Sequence, residues 1–141
     1  MLTFVGYRGV ERFGVEPMFP FGFGLSYGKF EYSDASVEKV GLVYKVIFKV
    51  KNVSKVAASV VPQVYVSCVK PTLPRPAKEL KGYDKLCLAP GAVQEVCIDL
   101  TPESFGHYSI PEHDWVVDQG DYRILIADSS SDIRLELPVT L

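Results

Sequence analysis

The chain has 141 residues, 48% hydrophobic and 23% charged, with a formal net charge of −2. That balance fits one packed domain rather than global disorder, and it offers no general attraction to nucleic-acid phosphates. No apolar run approaches the ~20 residues that cross a bilayer, so no membrane partner is expected, and the opening MLTFVGYRGVERF lacks the charged and apolar regions of a signal peptide.

The first distinctive element is EPMFPFGFGLSYGKFEY, from Glu16 to Tyr32, where aromatic rings alternate with glycine and proline. Those breakers rule out a helix and spoil a long strand. Three readings compete for it: a disordered aromatic tract, a sugar-stacking platform, or a wrapped strap that anchors one domain against another. Rings exposed together would make a patch larger than monomers tolerate, whereas glycines let backbone approach a neighbouring surface closely. Burial is the better reading. The strap residues are Phe19, Pro20, Phe21, Gly22, Phe23, Gly24, Leu25 and Tyr27.

From Lys29 onward the sequence divides into short runs closed by turn chemistry. Phe30 and Tyr32 begin a first strand. Leu42, Tyr44, Val46, Phe48 and Val50 alternate with lysines, giving one buried and one wet face. A third strand spans Val60 to Val69, with Pro62 implying an edge position or a bulge. The proline-rich KPTLPRPAK, Lys70 to Lys78, forms an extended loop. Strands follow at Glu79 to Leu88, Ala92 to Leu100, Tyr122 to Ala127 and Ile133 to Leu141. Seven strands in about 110 residues suit an all-β sandwich, immunoglobulin-like or fibronectin type III-like. Tyr122, at the head of a strand just after a turn, is placed to make a tyrosine corner.

Chemistry-bearing patterns are sparse. There is no GxSxG, HExxH, P-loop or Gly-rich dinucleotide turn, so no catalytic residue, cofactor or metal is expected. Cys68, Cys87 and Cys97 fit no zinc spacing and read as small buried hydrophobes on strands, with one disulfide among them as the alternative. The loop His107-Tyr-Ser-Ile-Pro-Glu112-His113-Asp114-Trp115 has no ligand signature and reads as a solvated loop pinned by Trp115 packing on the sandwich.

The chain also resembles a known family. Val5-Gly6-Tyr7-Arg8 followed by Glu16-Pro17-Met18-Phe19-Pro20-Phe21-Gly22-Phe23-Gly24-Leu25-Ser26-Tyr27 is similar to the junction before the C-terminal domain of family 3 glycoside hydrolases, the β-glucosidase group. The similarity continues through Val50-Lys51-Asn52-Val53, Arg75-Pro76-Ala77-Lys78-Glu79-Leu80-Lys81-Gly82-Tyr83 and Gly120-Asp121-Tyr122. It implies the fibronectin type III-like domain of those enzymes, residues 29–141, preceded by residues 1–28 as the end of the preceding domain and the interdomain strap. The family's nucleophile and acid/base lie on earlier domains, and a barrel of about 250 residues has no room here. The resemblance therefore implies a non-catalytic structural module, expressed as a fragment or truncated product. Its partner would be the catalytic domains of a family 3 glycosidase, in the same chain in relatives and in trans here. The alternatives are a free-standing carbohydrate-binding module using Phe19, Phe21, Phe23 and Trp115, or a docking subunit of a split glycosidase. Without the preceding domain, Met1 to about Arg12 would be mobile and unanchored beside an exposed apolar strip, and the chain would self-associate or bind a partner there.

Overall fold

The computed structural model describes residues 4–141. Its centre is set by strand β2 (Val43–Asn52), where Tyr44, Val46, Phe48 and Val50 are buried and the intervening side chains reach the surface. Successive Cβ atoms of a strand point to opposite faces, so this spacing builds one apolar face. β2 pairs antiparallel with β1 (Phe30–Val40) on one side and β7 (Val93–Leu100) on the other. On the wet face Lys45 reaches Asp99 and Lys49 reaches Asp34, each at 3.0 Å.

A second sheet, in the order β11 (Asp132–Thr140), β10 (Asp121–Ser129), β4 (Gln63–Cys68), β5 (Glu79–Tyr83), covers the apolar face of the first. Val64, Val66, Ile124 and Ile126 from this sheet join Val46, Phe48, Val50 and Leu100 in one buried cluster. These seven strands form an all-β, fibronectin type III-like sandwich. Two short ribbons complete it: β3 (Ala58–Val60) with β6 (Leu86–Leu88), and β8 (His107–Ser109) with β9 (Asp114–Val116). Tyr122 is buried against Phe105 (centroids 5.4 Å) and donates its hydroxyl to the Asp118 carbonyl at 2.9 Å. Burial pushes the Tyr122 hydroxyl up to about 12, with Cys68 adding to the shift.

Several expectations need correcting. The run Val60 to Val69 is two strands, not one: Pro62 has no N–H to give a ladder, and the chain leaves the β3 ribbon there to enter the interior of the second sheet as β4. The Pro62 carbonyl accepts the Asp84 N–H, and Asp84 lies where Glu79 to Leu88 also divides, into β5 and β6. Leu42, expected inside, is 74% exposed, because it occupies the tight β1–β2 turn beside Gly41 (φ +63°). The cysteines neither behave as buried hydrophobes nor form a disulfide, and all three are free. Cys87 and Cys97 are exposed, each flanked by two core residues (Leu86 and Leu88; Val96 and Ile98) that send it to the opposite face, and Cys68 is only half-buried. The stretch around His107 is an ordered ribbon rather than a solvated loop. Trp115 does not pack on the sandwich; it is 59% exposed, edge-on to its cross-strand partner Tyr108 at 6.0 Å.

Candidate docking surface

Alternation along β4 sends Val64 and Val66 into the core and turns Gln63 and Tyr65 outward, yet Tyr65 is completely buried. An outward aromatic on an interior strand needs a cover. Residues near the N-terminus supply it through helix α1 (Tyr7–Arg12), an element the sequence analysis did not anticipate. The Tyr7 ring meets Tyr65 edge-on at 5.8 Å, and its other neighbour is Phe21 at 5.5 Å. Tyr7 Oη accepts the Leu80 N–H of β5 at 2.8 Å. Glu11 pairs with Lys78, and Arg8 reaches Glu79 at 3.6 Å, while Glu79 also holds Arg75 at 2.8 Å.

A six-residue helix is far below the length that is stable alone in water, so these contacts hold it in place. The expectation that residues up to Arg12 lack an anchor is therefore wrong for those described; Met1 to Thr3 lie outside the described residues. Burial pushes the Tyr65 hydroxyl up, with Tyr7 and Glu11 adding to it. On the neighbouring strand burial lowers Lys81, with Arg75 and Arg8 adding to the effect.

The strap is fastened at one turn. Phe23 N–H bonds the Pro20 carbonyl at 3.0 Å, and Gly22 takes φ +81°, as the third position of a type II turn requires. A Cβ on Gly22 would collide with the Gln63 amide, so the glycine also permits close approach to the sheet. The Phe21 carbonyl accepts the Ser130 N–H of the β10–β11 turn at 2.8 Å. Gln63 is buried, and its Oε1 accepts the Tyr65 hydroxyl.

Beyond that clasp the strap is open. Met18, Phe19, Phe23, Leu25 and Tyr27 are exposed, Leu25 and Tyr27 to 94% and 96%, and so are Phe13 and Val15 just before the strap. Phe21 is half exposed despite its contact with Tyr7, Pro20 is half-buried, and Gly24 is exposed. Burial of the rings, the better reading of the sequence, does not occur within the chain itself. Between α1 and the strap lies a pocket of about 400 Å³, lined by Tyr7, Glu11, Val15, Phe19, Phe21 and Ser130 among others. Glu11 pairs with Lys78 on the sheet side, and its second carboxylate oxygen, Oε2, is buried without a hydrogen-bond partner among the described residues.

Sequence reasoning picked out the rings of the strap but missed Tyr7, Glu11, Gln63 and Tyr65, which hold the clasp. Only a partial signal was present. Tyr65 alternates with two valines, but the sequence left that run open to an edge position, and only the sheet order, with β4 between β10 and β5, shows that its ring needs a covering layer. Elsewhere, the Asp118 carboxylate accepts Thr72 Oγ1 at 2.9 Å, which ties the proline-rich loop to the segment before β10, while His107 Nδ1 lies 3.6 Å away without a hydrogen bond among the described residues. No cluster of three or more potential metal ligands occurs among the described residues.

A family model for the fibronectin type III-like domain matches residues 60–130. The thermostable beta-glucosidase B of Acetivibrio thermocellus is 47% identical over 137 residues, covering 94% of this chain and 18% of the relative. The chain belongs to the C-terminal fibronectin type III-like domain of family 3 glycoside hydrolases. The exo-alpha-(1->6)-L-arabinopyranosidase of Bifidobacterium breve carries a similar domain, 40% identical over 140 residues and covering 99% of this chain and 18% of the relative. The crystal structure of the GH3 beta-glucosidase of Bifidobacterium adolescentis superposes with a TM-score of 0.94 at 39% identity, over 98% of this chain and 21% of that one. The fibronectin type III-like domain thus spans about a fifth of the length of the relatives it matches, and the match includes α1 and the strap as well as the sandwich.

Proposed function

We propose that the domain is non-catalytic and fastens onto the catalytic domains of a family 3 glycosidase, with residues 13–27 as the docking strip. One observation carries this reading. The N-terminal segment is two-sided: Tyr7, Glu11 and the Gly22 turn grip the sandwich, while Phe13, Met18, Phe19, Phe23, Leu25 and Tyr27 face outward with nothing to cover them. So many large apolar side chains exposed within one short segment mark an interaction site. The names of the relatives lend support. Similar domains, 47% and 40% identical to this chain, occur in a relative named a glucosidase and in one named an arabinopyranosidase, which favours a structural role over a part in sugar choice.

The test uses the purified chain with an aryl β-glucoside and with separately produced catalytic domains of the Acetivibrio thermocellus relative. The expected result is no turnover by the chain alone and a complex with those domains that Phe19→Asp with Phe23→Asp abolishes. Turnover by the chain alone would overturn the non-catalytic role, and failure to form the complex would overturn the docking role.

A sugar-stacking platform has the exposure of Phe19, Phe21, Phe23 and Trp115 in its favour. Against it, Phe19 and Phe23 are tilted by 31° to one another and do not offer one flat face. Saturable binding of a soluble β-glucan, lost on removing these rings, would favour this reading over docking.

A further inference from the structure

We infer that Phe23 to Tyr27 docks as an extended strand, its main chain hydrogen-bonded to an extended main-chain segment of the catalytic body that passes against Gly24. The inference rests on the docking reading and adds how the partner must be built. Phe23, Leu25 and Tyr27 are exposed and alternate with Gly24 and Ser26, the period of a strand with one apolar face. Residues 23–26 lie outside any helix or turn, and none of residues 23–27 takes a positive φ. Both ends of this run are held. Gly22 sits against Gln63, a Cβ on Gly28 would meet Ala58 and Phe30, and the Lys29 carbonyl accepts the Val53 N–H at 2.9 Å. Between those fixed points the amides of Gly24, Leu25, Ser26 and Tyr27 make no backbone hydrogen bond among the described residues, and neither do the carbonyls of Phe23 to Tyr27.

In the free chain water satisfies these groups, and docking removes that water. When the partner covers Phe23, Leu25 and Tyr27, the main chain between them is covered too, and buried backbone groups are almost always paired. The sandwich offers them no partner, so the docked body must. Gly24 shows how closely that body comes. Six of the eleven glycines take a positive φ, and a further four would press a Cβ against a neighbouring atom. Gly24 does neither: its φ is not positive and the space around its missing Cβ is open. Nothing within the chain calls for glycine there, and glycine in a strand is less stable than alanine. A glycine inside a strand pattern commonly marks the close approach of another main chain, and here that chain belongs to the partner. Successive residues face opposite ways along a strand, so the body that covers the rings also reaches round to Gly24. The mode is strand addition, in which main-chain bonds supply affinity and alternate side chains fill pockets.

The test uses the natural chain with separately produced catalytic domains of the Acetivibrio thermocellus relative. Hydrogen exchange at the amides of residues 24–27 should be fast in the free chain and slow in the complex at alternate positions, 24 and 26 or 25 and 27, because alternate residues of a strand turn their N–H groups to the same side. Gly24→Val should leave the Ser130 amide of the free chain as protected as before, since a Cβ there meets open space. It should nonetheless weaken the complex by about tenfold or more, ~1.4 kcal/mol. If Ser130 loses protection in the variant, exchange in the natural chain decides. A Gly24→Val chain that keeps its fold and docks as tightly as the natural one would overturn the inference, as would four amides that exchange equally fast with and without the partner. Protection of residues 24–27 that rises with the concentration of the free chain would make a second copy the partner strand, and would overturn it too. Hydroxyl-radical labelling of Phe23 and Tyr27 in the same mixture keeps docking separate. If both rings are covered while the amides exchange freely, this inference is wrong and docking stands; if no complex forms at all, docking is wrong and the inference falls with it.

Discussion

Replacing Tyr7 by alanine should release α1 from the sandwich without unfolding the sandwich itself. The ring makes two aromatic contacts, with Tyr65 at 5.8 Å and Phe21 at 5.5 Å, and its hydroxyl accepts the Leu80 N–H at 2.8 Å. Two such ring pairs are worth about 0.5–1.5 kcal/mol each and the hydrogen bond about the same again, which totals roughly 1.5–4.5 kcal/mol of local stability. None of these contacts lies in the buried cluster between the two sheets. The loss therefore falls on the helix, which is too short to persist alone. Hydrogen exchange reads it directly at the Gly9, Val10 and Phe13 amides, which bond the carbonyls of Gly6, Gly6 and Gly9. Their protection should fall by between about tenfold and a thousandfold, since 1.4 kcal/mol is a factor of ten. Amides of β2 and β10 should change little. Unchanged exchange at α1 would refute the claim that Tyr7 holds it; a loss spread equally over β2 and β10 would refute the claim that α1 is a separable layer.

Other consequences follow from the same geometry. Phe48→Ala removes a fully buried ring from the centre of β2 and should cost about 3–5 kcal/mol in chemical denaturation; a cost below 1 kcal/mol would contradict its place in the core. We propose that Tyr122 serves as the tyrosine corner. Tyr122→Phe then loses its bond to the Asp118 carbonyl and should lower stability by about 0.5–1.5 kcal/mol, and an unchanged denaturation midpoint would remove that role. Gly22→Ala forces a side chain at φ +81° against the Gln63 amide, so the Ser130 amide, which bonds Phe21, should lose protection while Phe48 remains buried; full retention of Ser130 protection would argue against the clasp. Stability should decline at alkaline pH. Burial raises the hydroxyls of Tyr32, Tyr65 and Tyr122 above the ordinary value of 10.0, so the unfolded chain releases these protons first. Their contribution is complete below pH 10 and is lost as pH rises, between 10 and about 12 for Tyr122 and higher still for the other two. Denaturation midpoints that stay flat from pH 9 to 12 would contradict this.

The sandwich was legible because it rests on period-two alternation, which a single strand displays by itself. Tyr44 to Val50 on β2, and Val96, Ile98 and Leu100 on β7, all face as their spacing requires. The boundaries at Pro62 and Asp84 were less legible. A chain that changes sheets continues to look like a strand on both sides of the break, and only the pairing of β3 with β6 and of β4 with β5 reveals the switch. Helix α1 could not be read locally. YRGVER carries a mid-helix glycine and no side-chain cap, and the helix forms because Tyr65, Leu80 and Lys78, far along the chain, give it partners. The cysteines illustrate the opposite error, in which residue type was weighed above register: two core neighbours dictate an outward side chain whatever its chemistry. In the strap, composition pointed to an interface, but the division into a gripping side and an open side depends on Gln63 and Ser130, contacts that no spacing within residues 16–32 encodes.

The docking strip is tested most directly by solvent labelling of its own side chains. Hydroxyl-radical labelling of Met18, Phe19, Phe23, Leu25 and Tyr27 is measured in the free chain and again after adding separately produced catalytic domains of the Acetivibrio thermocellus relative. Full labelling in the free monomer, with loss at these residues on complex formation and no change at exposed Trp115, is the result that follows from exposed, outward-facing rings. Protection of the strip in the free monomer, or labelling that persists in the complex, would contradict it.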